Sequence, residues 1–367
     1  MVKEIRSLTG VRGLAALFVA VFHFYKFAIL TPEANGSIFY TNSYLSSFLG
    51  HGYLSVDLFF ILSAFVMTLS SRRLFENGFT KSNYALFMKK RWIRIYPSYF
   101  IVLLYGYLVQ HHGGRTPNFI VSLTLLNILF GVSFMIPHLW SLTAEWITYL
   151  LYPLLLKLCR NARNVNWNYI LIFIGILFLY IVALYRWKYI DPPFMLEIYQ
   201  GYPCLLKCFA DYLLGIAAFG LYDQDKLNFL SSPKYSVGVV VLILVSLLFA
   251  KLDLLTILLF VFLIIAIVRR NVVSIFLGSK IIYFFGEISY PLYLINFMVY
   301  LKLRDMNVLL GPYISDNYRL YILFAIFMFL SIFIAYLFHI LIEKPLLNFF
   351  NKRLKSNSFP FNFQTTY

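Results

Sequence analysis

The sequence predicts an all-α, polytopic membrane protein with about ten transmembrane helices and both termini in the cytoplasm. Apolar residues make up 61% of the 367 residues and charged residues only 13%, whereas a soluble domain averages roughly half apolar and a quarter charged. Long apolar runs recur along the chain, and Lys and Arg gather between alternate runs. The lengths of the runs and the placement of the positive charges together indicate this fold class.

The net charge and the cysteines exclude several classes of function. The formal net charge is +16, but membrane proteins keep an excess of Lys and Arg in their cytoplasmic loops. No charged domain is present to carry nucleic-acid binding, so we predict no nucleic-acid partner. The three cysteines, Cys159, Cys204 and Cys208, form no CxxC pair, and their odd count predicts neither a disulfide framework nor a metal site.

The apolar runs give the elements in chain order. A membrane-spanning helix needs about 20 mostly apolar residues, and we place the first two spans at VRGLAALFVAVFHF and HGYLSVDLFFILSAFVM. The basic N-terminus resembles that of a signal peptide, but no small-residue cleavage site follows, which predicts a retained first span. The later runs lie at 95–110, 118–136, 145–158, 169–185, 204–222, 236–250, 254–268, 281–301 and 320–342.

The distribution of Lys and Arg orients the first spans. Lys3, Arg6 and Arg12 precede or open the first span, whereas 31–52 contains no Lys or Arg. The positive-inside rule therefore predicts a cytoplasmic N-terminus, an external segment 31–52 and a cytoplasmic segment 72–94. The basic residues of this last segment are Arg72, Arg73, Lys81, Lys89, Lys90, Arg91 and Arg94.

One run breaks the alternation of the spans. The runs 118–136 and 145–158 both lead from the outside toward the basic cluster Lys157, Arg160 and Arg163, and two crossings would give the wrong parity. We interpret 118–136 as re-entrant or packed on the outer side, which is allowed where the backbone is buried in protein.

The remaining runs alternate across the membrane and end near a last basic cluster. We expect residues 1–350 to form a single transmembrane domain and 351–367 a short cytoplasmic tail. No internal repeat and no appended soluble domain is visible in the sequence. A multi-pass protein of the cell membrane, in contact with membrane lipids, is therefore predicted.

The first span keeps two ionisable residues, Arg12 and His23, at its two ends. Eleven residues at 1.5 Å each separate them by roughly 16 Å along the helix axis, so they lie at different depths. Charged groups inside a bilayer are expensive and tend to be functional. The alternatives are a snorkelling, positive-inside Arg12 and an interior His23 bonded to a neighbouring helix.

Two carboxylates are expected near the depth of His23. Asp57 lies roughly 7 Å below the outer edge of the second span, and His23 roughly 10 Å below that of the first. An aspartate beside a histidine fixes its tautomer and raises its basicity, as in a general base. Glu145 opens the return span on the same side. The alternatives are an Asp57–His23 pair that only joins two helices, and a Glu145 favoured at a helix N-terminus by the dipole.

Arg91 and Arg94 are three residues apart and so share a helix face, which suits bidentate binding of a phosphate. The alternative is a contact with lipid headgroups. Trp140 and Trp146 are interface aromatics in the simplest reading. Taken together, the residues predict a phosphate-binding site inside and an acid–base site toward the outside. A phosphorylated cytoplasmic donor would then deliver a group to an external acceptor.

The chain carries six segments whose order and spacing form a pattern: SLTGVRGLAALFVAVFHF, GYLSVDLFFILSAF, RWIRIYPSY, HLWSLTAEWITYLLYP, ISYPLYLI and IEKP. Together they resemble the membrane-bound acyltransferase family 3, which includes O-antigen and exopolysaccharide O-acetyltransferases. The resemblance covers nearly the whole chain.

This resemblance implies an O-acetyltransferase of the inner membrane with about ten spans. Such an enzyme takes an acyl group, usually acetyl, from cytoplasmic acetyl-CoA or another acyl-CoA, and uses no metal. The acceptor implied is a hydroxyl of an extracytoplasmic glycan, such as a polysaccharide or lipopolysaccharide, or of a lipid-linked sugar. Proteins of glycan assembly are further partners.

The resemblance also implies roles for single residues. Arg12 and His23 match the essential Arg-x10-His pair, with His23 as general base and Asp57 or Glu145 as the group that orients it. A covalent acyl relay through Tyr149 is a further variant. The donor-binding residues would be Arg12, Arg91 and Arg94, and the WSL-x-x-E motif with its following tyrosine matches Trp140, Glu145 and Tyr149.

The chain departs from the family at Thr9, Ala64 and Asn296, where relatives often have Asp, Gly and His. Asn296 cannot titrate as a histidine would. Two other functions remain open from the sequence. One is a transporter or flippase of a polysaccharide precursor, in which the polar residues would line a pathway. The other is a non-catalytic scaffold of a glycan-assembly complex.

Overall fold

The computed structural model describes residues 4–30, 42–71, 74–75, 78–109, 116–134, 136–161, 165–190 and 195–356. Within these ranges the regular structure is helical throughout, with no strand, which confirms the all-α fold class. Some predictions fall outside the described residues: those on Lys3, Arg72, Arg73 and Arg163, on 31–41 of the external segment, and on 357–367 of the tail.

The helices of the first half of the chain are α1 (Arg6–Ala28), α2 (Ser43–Gly50), α3 (Leu54–Ser71), α4 (Lys81–Val109), α5 (Thr116–Leu123), α6 (Asn127–Phe130) and α7 (Trp140–Asn161). Short 3-10 turns at His51–Tyr53 and Pro137–Leu139 lead into α3 and α7.

The helices of the second half are α8 (Val165–Ile190), α9 (Tyr202–Asp223), α10 (Pro233–Ser246), α11 (Asp253–Val268), α12 (Val272–Leu277), α13 (Lys280–Glu287), α14 (Ser289–Leu310), α15 (Asp316–Phe338) and α16 (Lys344–Ser356). A 3-10 turn, Asn228–Ser231, precedes α10, and a π-helical turn, His339–Glu343, joins α15 to α16.

Several of these helices are long and apolar enough to cross a membrane. Among the described residues there are six such stretches, and α13 with α14, bent by 67° at their junction, makes a seventh if the pair is one broken span. Helices α10 and α11 are apolar but shorter. The count of ten spans and the cytoplasmic ends remain predictions. The six stretches are Arg6–Ala28, Ser43–Ser71, Lys81–Val109, Asn166–Lys188, Tyr202–Asp223 and Tyr318–Lys352.

The structure bears on two of the predicted elements. Helix α4 already begins at Lys81, so much of the predicted cytoplasmic segment 72–94 is helical. The run 118–136 contains α5 and α6, which are only 8 and 4 residues long. Neither reaches the roughly 20 residues that a crossing needs, which agrees with our interpretation that this run does not cross as one helix.

Helix α1 lies close against α13. A methyl group added to Gly13 would overlap the backbone of Phe285 and Gly286, and one added to Gly286 would overlap the backbone of Thr9. Only glycine allows two helix backbones to approach so closely. This contact fixes where the part of α1 around Arg12 lies relative to α13.

Among the described helices that are long enough to cross a membrane, α9 is the most buried, since 83% of its most apolar part lies inside the protein. It packs against α3 and α8. A close contact again involves glycine, because a methyl group on Gly215 would overlap the backbone of Ile61. The packing brings polar residues of α9 next to those of α3 and α7.

Candidate active site

Three helices direct charged side chains into one cavity of about 100 Å³. Arg12 comes from α1, Arg91 and Arg94 from α4, and Glu145 and Tyr149 from α7. The predicted convergence of the three arginines is therefore seen in the structure. The other walls of the cavity come from α3, α4, α7 and α14. The residues of these walls are Val56, Phe59, Phe60, Ser63, Val66, Ile95, Ser141, Leu142, Ser289, Tyr290 and Tyr293.

The charge of the cavity is positive. Of the residues that line it, three carry a guanidinium and only Glu145 carries a carboxylate. The guanidinium carbon of Arg91 lies 5.3 Å from the ring centre of Phe87 and 5.5 Å from that of Tyr149. Such cation–π contacts orient an arginine without neutralising it. The cavity is thus suited to an anion, and phosphate is one of the anions that guanidiniums bind in a bidentate way.

Glu145 is held by hydroxyl groups. One carboxylate oxygen accepts hydrogen bonds from Tyr149 at 2.5 Å and Ser63 at 2.7 Å, with Tyr212 of α9 at 3.4 Å. Ser63 is six residues beyond Asp57, or roughly 9 Å further along α3. The expectation that Glu145 lies at the depth of His23 and Asp57 is therefore corrected. The reason is that α7 begins at Trp140, so Glu145 lies inside the helix and faces the arginine cavity.

His23 is oriented by Asn296 of α14. The amide nitrogen of Asn296 donates to the carbonyl oxygens of Leu292 at 2.7 Å and Tyr293 at 2.9 Å. Its side-chain oxygen therefore faces His23 and accepts from Nδ1–H at 2.5 Å. In neutral His23 this leaves the lone pair on Nε2, which is the nitrogen able to take a proton.

Asp57 has a different partner from the one predicted. Its carboxylate lies 2.9 Å from Nζ of Lys207, and the two side chains are 0% and 1% exposed. The buried carboxylate of Asp211, on the same helix as Lys207, also lies near it. The expected Asp57–His23 contact is thus replaced by a buried pair between α3 and α9, because unpaired burial of either charge would be expensive.

Trp140 belongs to the same buried region. Its ring is 6.1 Å from that of Phe60 and 6.0 Å from Nζ of Lys207. Since it is only 7% exposed, Trp140 is not an aromatic of the membrane interface. Lys207 also donates to the carbonyl oxygen of Leu196 at 2.9 Å, which fastens the segment before α9.

A line of polar and aromatic side chains connects the cavity with His23. The Tyr293 hydroxyl, on the cavity wall, lies 2.6 Å from that of Ser141 and 2.7 Å from the carbonyl oxygen of His138. The His138 ring is in turn 6.2 Å from the ring of His23. His23 itself is not among the residues that line the cavity, and it lies roughly 16 Å from Arg12 along α1.

Sequence reasoning did not single out Lys207, Ser63 or His138. Lys207 offered a signal, because a lysine four residues before Asp211 in an apolar run places two charges on one face of a predicted span. His138 lies two residues before Trp140, in the segment HLWSLTAEW, and its residue type alone gave no role. Among the described residues, no group of three or more His, Cys, Asp or Glu is arranged to hold a metal.

Comparison with known proteins places this geometry in a family. The sequence pattern of the family described as "Acyltransferase domain", acyltransferase 3, matches residues 5–340. "Acyltransferase MdmB" of Streptomyces mycarofaciens is 27% identical over 183 residues, which are 45% of this chain and 43% of that protein. "Protein 2 in picA locus" of Rhizobium radiobacter is 34% identical over 97 residues, 26% of this chain and 40% of that protein.

A longer match is to ORF330 of Acidianus two-tailed virus, whose name proposes an acetyltransferase. It is 28% identical over 331 residues, which are 83% of this chain and 86% of that protein. The matched regions span less than half of the first two relatives. No solved structure matches the chain. Because the family pattern covers most of its length, the chain belongs to the acyltransferase 3 family.

Proposed function

We propose that this chain is an integral membrane O-acyltransferase that moves an acyl group, acetyl in the simplest case, from cytoplasmic acyl-CoA to a hydroxyl of an extracytoplasmic sugar. The acceptor class is a cell-surface polysaccharide, a lipopolysaccharide or a lipid-linked sugar. The membrane would be the inner, cytoplasmic membrane, and proteins of glycan assembly would be partners. The observation that carries the proposal is the convergence of three arginines on one cavity. Helix α1, which supplies Arg12 to this cavity, also holds His23.

The arginine cavity supports the choice of donor. Acyl-CoA carries phosphates at one end and a neutral thioester at the other. Arg12, Arg91 and Arg94 offer guanidiniums to the phosphates, while the single carboxylate of the cavity, Glu145, is already occupied by hydroxyl donors. The cavity also has apolar walls at Val56, Phe59 and Leu142, which suit the uncharged arm of the donor.

His23 supports the choice of chemistry at the acceptor. Asn296 keeps the proton on Nδ1, so Nε2 is free to take the proton of a hydroxyl group. The attacking oxygen forms a bond to the acyl carbon, and the carbon–sulfur bond then breaks. The proton passes from His23 to the departing thiolate, and the products are an O-acyl ester and a free thiol. In this account Asn296 takes the orienting role that was predicted for Asp57 or Glu145.

The relatives agree with the class of reaction. The name of MdmB states an acyltransferase, and that of ORF330 an acetyltransferase. Neither name identifies an acceptor. The sugar acceptor rests on the position of His23 toward the predicted outer end of α1 and on the resemblance noted in the sequence.

The test uses purified full-length protein in lipid nanodiscs, acetyl-CoA labelled in the acetyl group, and surface glycan from a deletion strain as acceptor. The wild type is expected to transfer label to the glycan as an alkali-labile ester. His23→Ala is expected to bind acetyl-CoA normally and to transfer no label. Unchanged transfer by His23→Ala would reject the base role, and no transfer by the wild type would reject the proposed function.

A further inference from the structure

His138 is a buried histidine to which nothing so far assigns a role. It lies in the 3-10 turn Pro137–Leu139 at the start of α7 and is 5% exposed. The turn is held by its backbone, since the His138 carbonyl oxygen accepts from the Tyr293 hydroxyl at 2.7 Å. The imidazole is therefore held in place without the use of its own nitrogen atoms.

The two ring nitrogens of His138 are buried, and neither makes a hydrogen bond to any described residue. The backbone of Leu294 lies near the ring, but not in hydrogen-bonding geometry. A buried donor without a partner costs on the order of 1–3 kcal/mol, and such groups in native proteins call for an explanation. A ligand that supplies the missing acceptor is the simplest one.

The surroundings of the ring keep it uncharged. Its neighbours are aromatic: ring centres lie at 4.8 Å for Phe297, 5.4 Å for Tyr293 and 6.2 Å for His23. Burying an imidazolium among them would need a compensating negative charge. Neutral imidazole has one N–H that donates and one nitrogen that accepts, so His138 can offer a hydrogen bond without titrating.

The position of His138 relates it to both halves of the reaction. Its backbone contacts Tyr293, which lines the donor cavity, and its ring lies beside His23, the base. A thioester that extends from the arginines toward His23 would bring its carbonyl oxygen to this place.

We propose that His138 is a second catalytic histidine, which donates a hydrogen bond from its neutral ring to the oxygen of the acyl group. This inference rests on the proposed acyl transfer. As the acceptor oxygen attacks the thioester carbon, the electrons of the carbonyl double bond move to its oxygen, and His138 stabilises the resulting oxyanion. When the oxyanion collapses, the carbon–sulfur bond breaks, and the thiolate takes the proton that His23 removed from the acceptor.

Two substitutions separate this role from a role in packing. His138→Gln keeps an N–H donor but loses the ring, whereas His138→Phe keeps a ring among Phe297 and Tyr293 but loses the donor. Removing one oxyanion donor typically lowers kcat by about 10²–10³-fold. We expect that loss in kcat for His138→Phe, an unchanged KM for acetyl-CoA, and a kcat for His138→Gln at least about tenfold above that of His138→Phe.

The assay is the labelled transfer in nanodiscs, with the amount of folded protein measured by size-exclusion chromatography. If packing is the role, His138→Phe will be as active as His138→Gln or more active, and the proposal is overturned. If His138→Gln is as inactive as His138→Phe, the donor role is likewise overturned. A wild type without transfer activity would overturn the proposed function and this inference together, whereas an active wild type isolates the question of His138.

Discussion

At the scale of single side chains, the contact between His23 and Asn296 decides which ring nitrogen is left to act as the proposed base. The amide nitrogen of Asn296 is used by two backbone carbonyls, so only its oxygen is available to His23. Relatives often have histidine at the position of Asn296, and the family resemblance left the effect of this change open. In the proposed mechanism Asn296 is a positioning residue, with no need to titrate.

Replacing Asn296 by leucine should remove the acceptor that holds the proton on Nδ1. His23 would then populate the other tautomer, and kcat should fall at least about tenfold, since losing the partner of an oriented histidine commonly costs this or more. Asn296→Asp keeps an acceptor oxygen and should retain most of the activity. The measurement is kcat for labelled acetyl transfer. Equal activity of the leucine and aspartate variants would show that the contact does not orient the base.

Asp57 has a different partner from the one that the sequence suggested. Hydropathy placed Asp57 and His23 at similar depths, but depth does not say which helices are neighbours. Asp57 meets Lys207 because α9 packs against α3. The contact joins residues that are far apart in the chain, so only the packed structure reveals it.

The buried pair makes a prediction about stability. Lys207→Met leaves Asp57 and Asp211 facing each other without a cation, which should lower the free energy of unfolding by about 3–5 kcal/mol. Adding Asp57→Leu to Lys207→Met should restore part of this loss. Thermal unfolding in detergent with a thiol-reactive dye reports both variants. A near-neutral Lys207→Met, together with a folded but inactive Asp57→Leu, would instead support the originally predicted role of Asp57 beside His23.

At the scale of elements, helix α1 sets the separation between the arginine cavity and His23. Its 23 residues hold Arg12 at the cavity and His23 beside α14. The distance between them along the helix is set by the geometry of the α-helix and was predictable from the sequence. The lateral position of α1 depends on its close approach to α13, which is possible because Gly13 and Gly286 have no side chain.

Gly13→Ala should displace α1 from α13, since its methyl group would overlap backbone atoms that cannot move aside. We expect a lower yield of folded protein and, in the protein that folds, weaker binding of acetyl-CoA, because Arg12 is the adjacent residue. Gly238→Ala is the matched control. It lies in helix α10 with nothing near the added methyl group, and it should be neutral or stabilising by about 0.4–1 kcal/mol. Equal behaviour of both variants would contradict the close contact of α1 with α13.

The helix boundaries show which parts of the fold hydropathy alone can predict. It predicted α1, α3, α9, α10 and α11 within a few residues, because each is an apolar run with clear ends. It missed the first part of α4, where basic residues in a helix look like those of a loop. It also placed Glu145 at the end of a span, since the turn Pro137–Leu139 before α7 has no apolar signature of its own.

At the scale of the whole molecule, the packed helices place two chemically different regions at two depths. The arginine pair on α4 was predictable because residues three apart share a helix face, and its proximity to Arg12 was expected because the positive-inside rule predicts the same side of the membrane for all three. The hydroxyl cage of Glu145, the orientation of His23 by Asn296 and the position of His138 were not predictable. Each depends on which helices touch, and an apolar run carries no information about its neighbours.

The proposed division of roles is that the arginine cavity binds the donor, whereas His23 acts only in proton transfer. Binding of CoA to the wild type, His23→Ala and Arg94→Gln, measured by isothermal titration calorimetry in nanodiscs, tests it most directly. Arg269→Gln is the control, because Arg269 pairs with the exposed Asp225 and does not line the cavity. His23→Ala and Arg269→Gln should bind CoA as the wild type does, and Arg94→Gln should bind it at least about tenfold more weakly, since a hydrogen bond to a charged group contributes roughly 1.5–3 kcal/mol. Equal loss of CoA affinity in His23→Ala and Arg94→Gln, or none in Arg94→Gln, would contradict the division of the site into two depths.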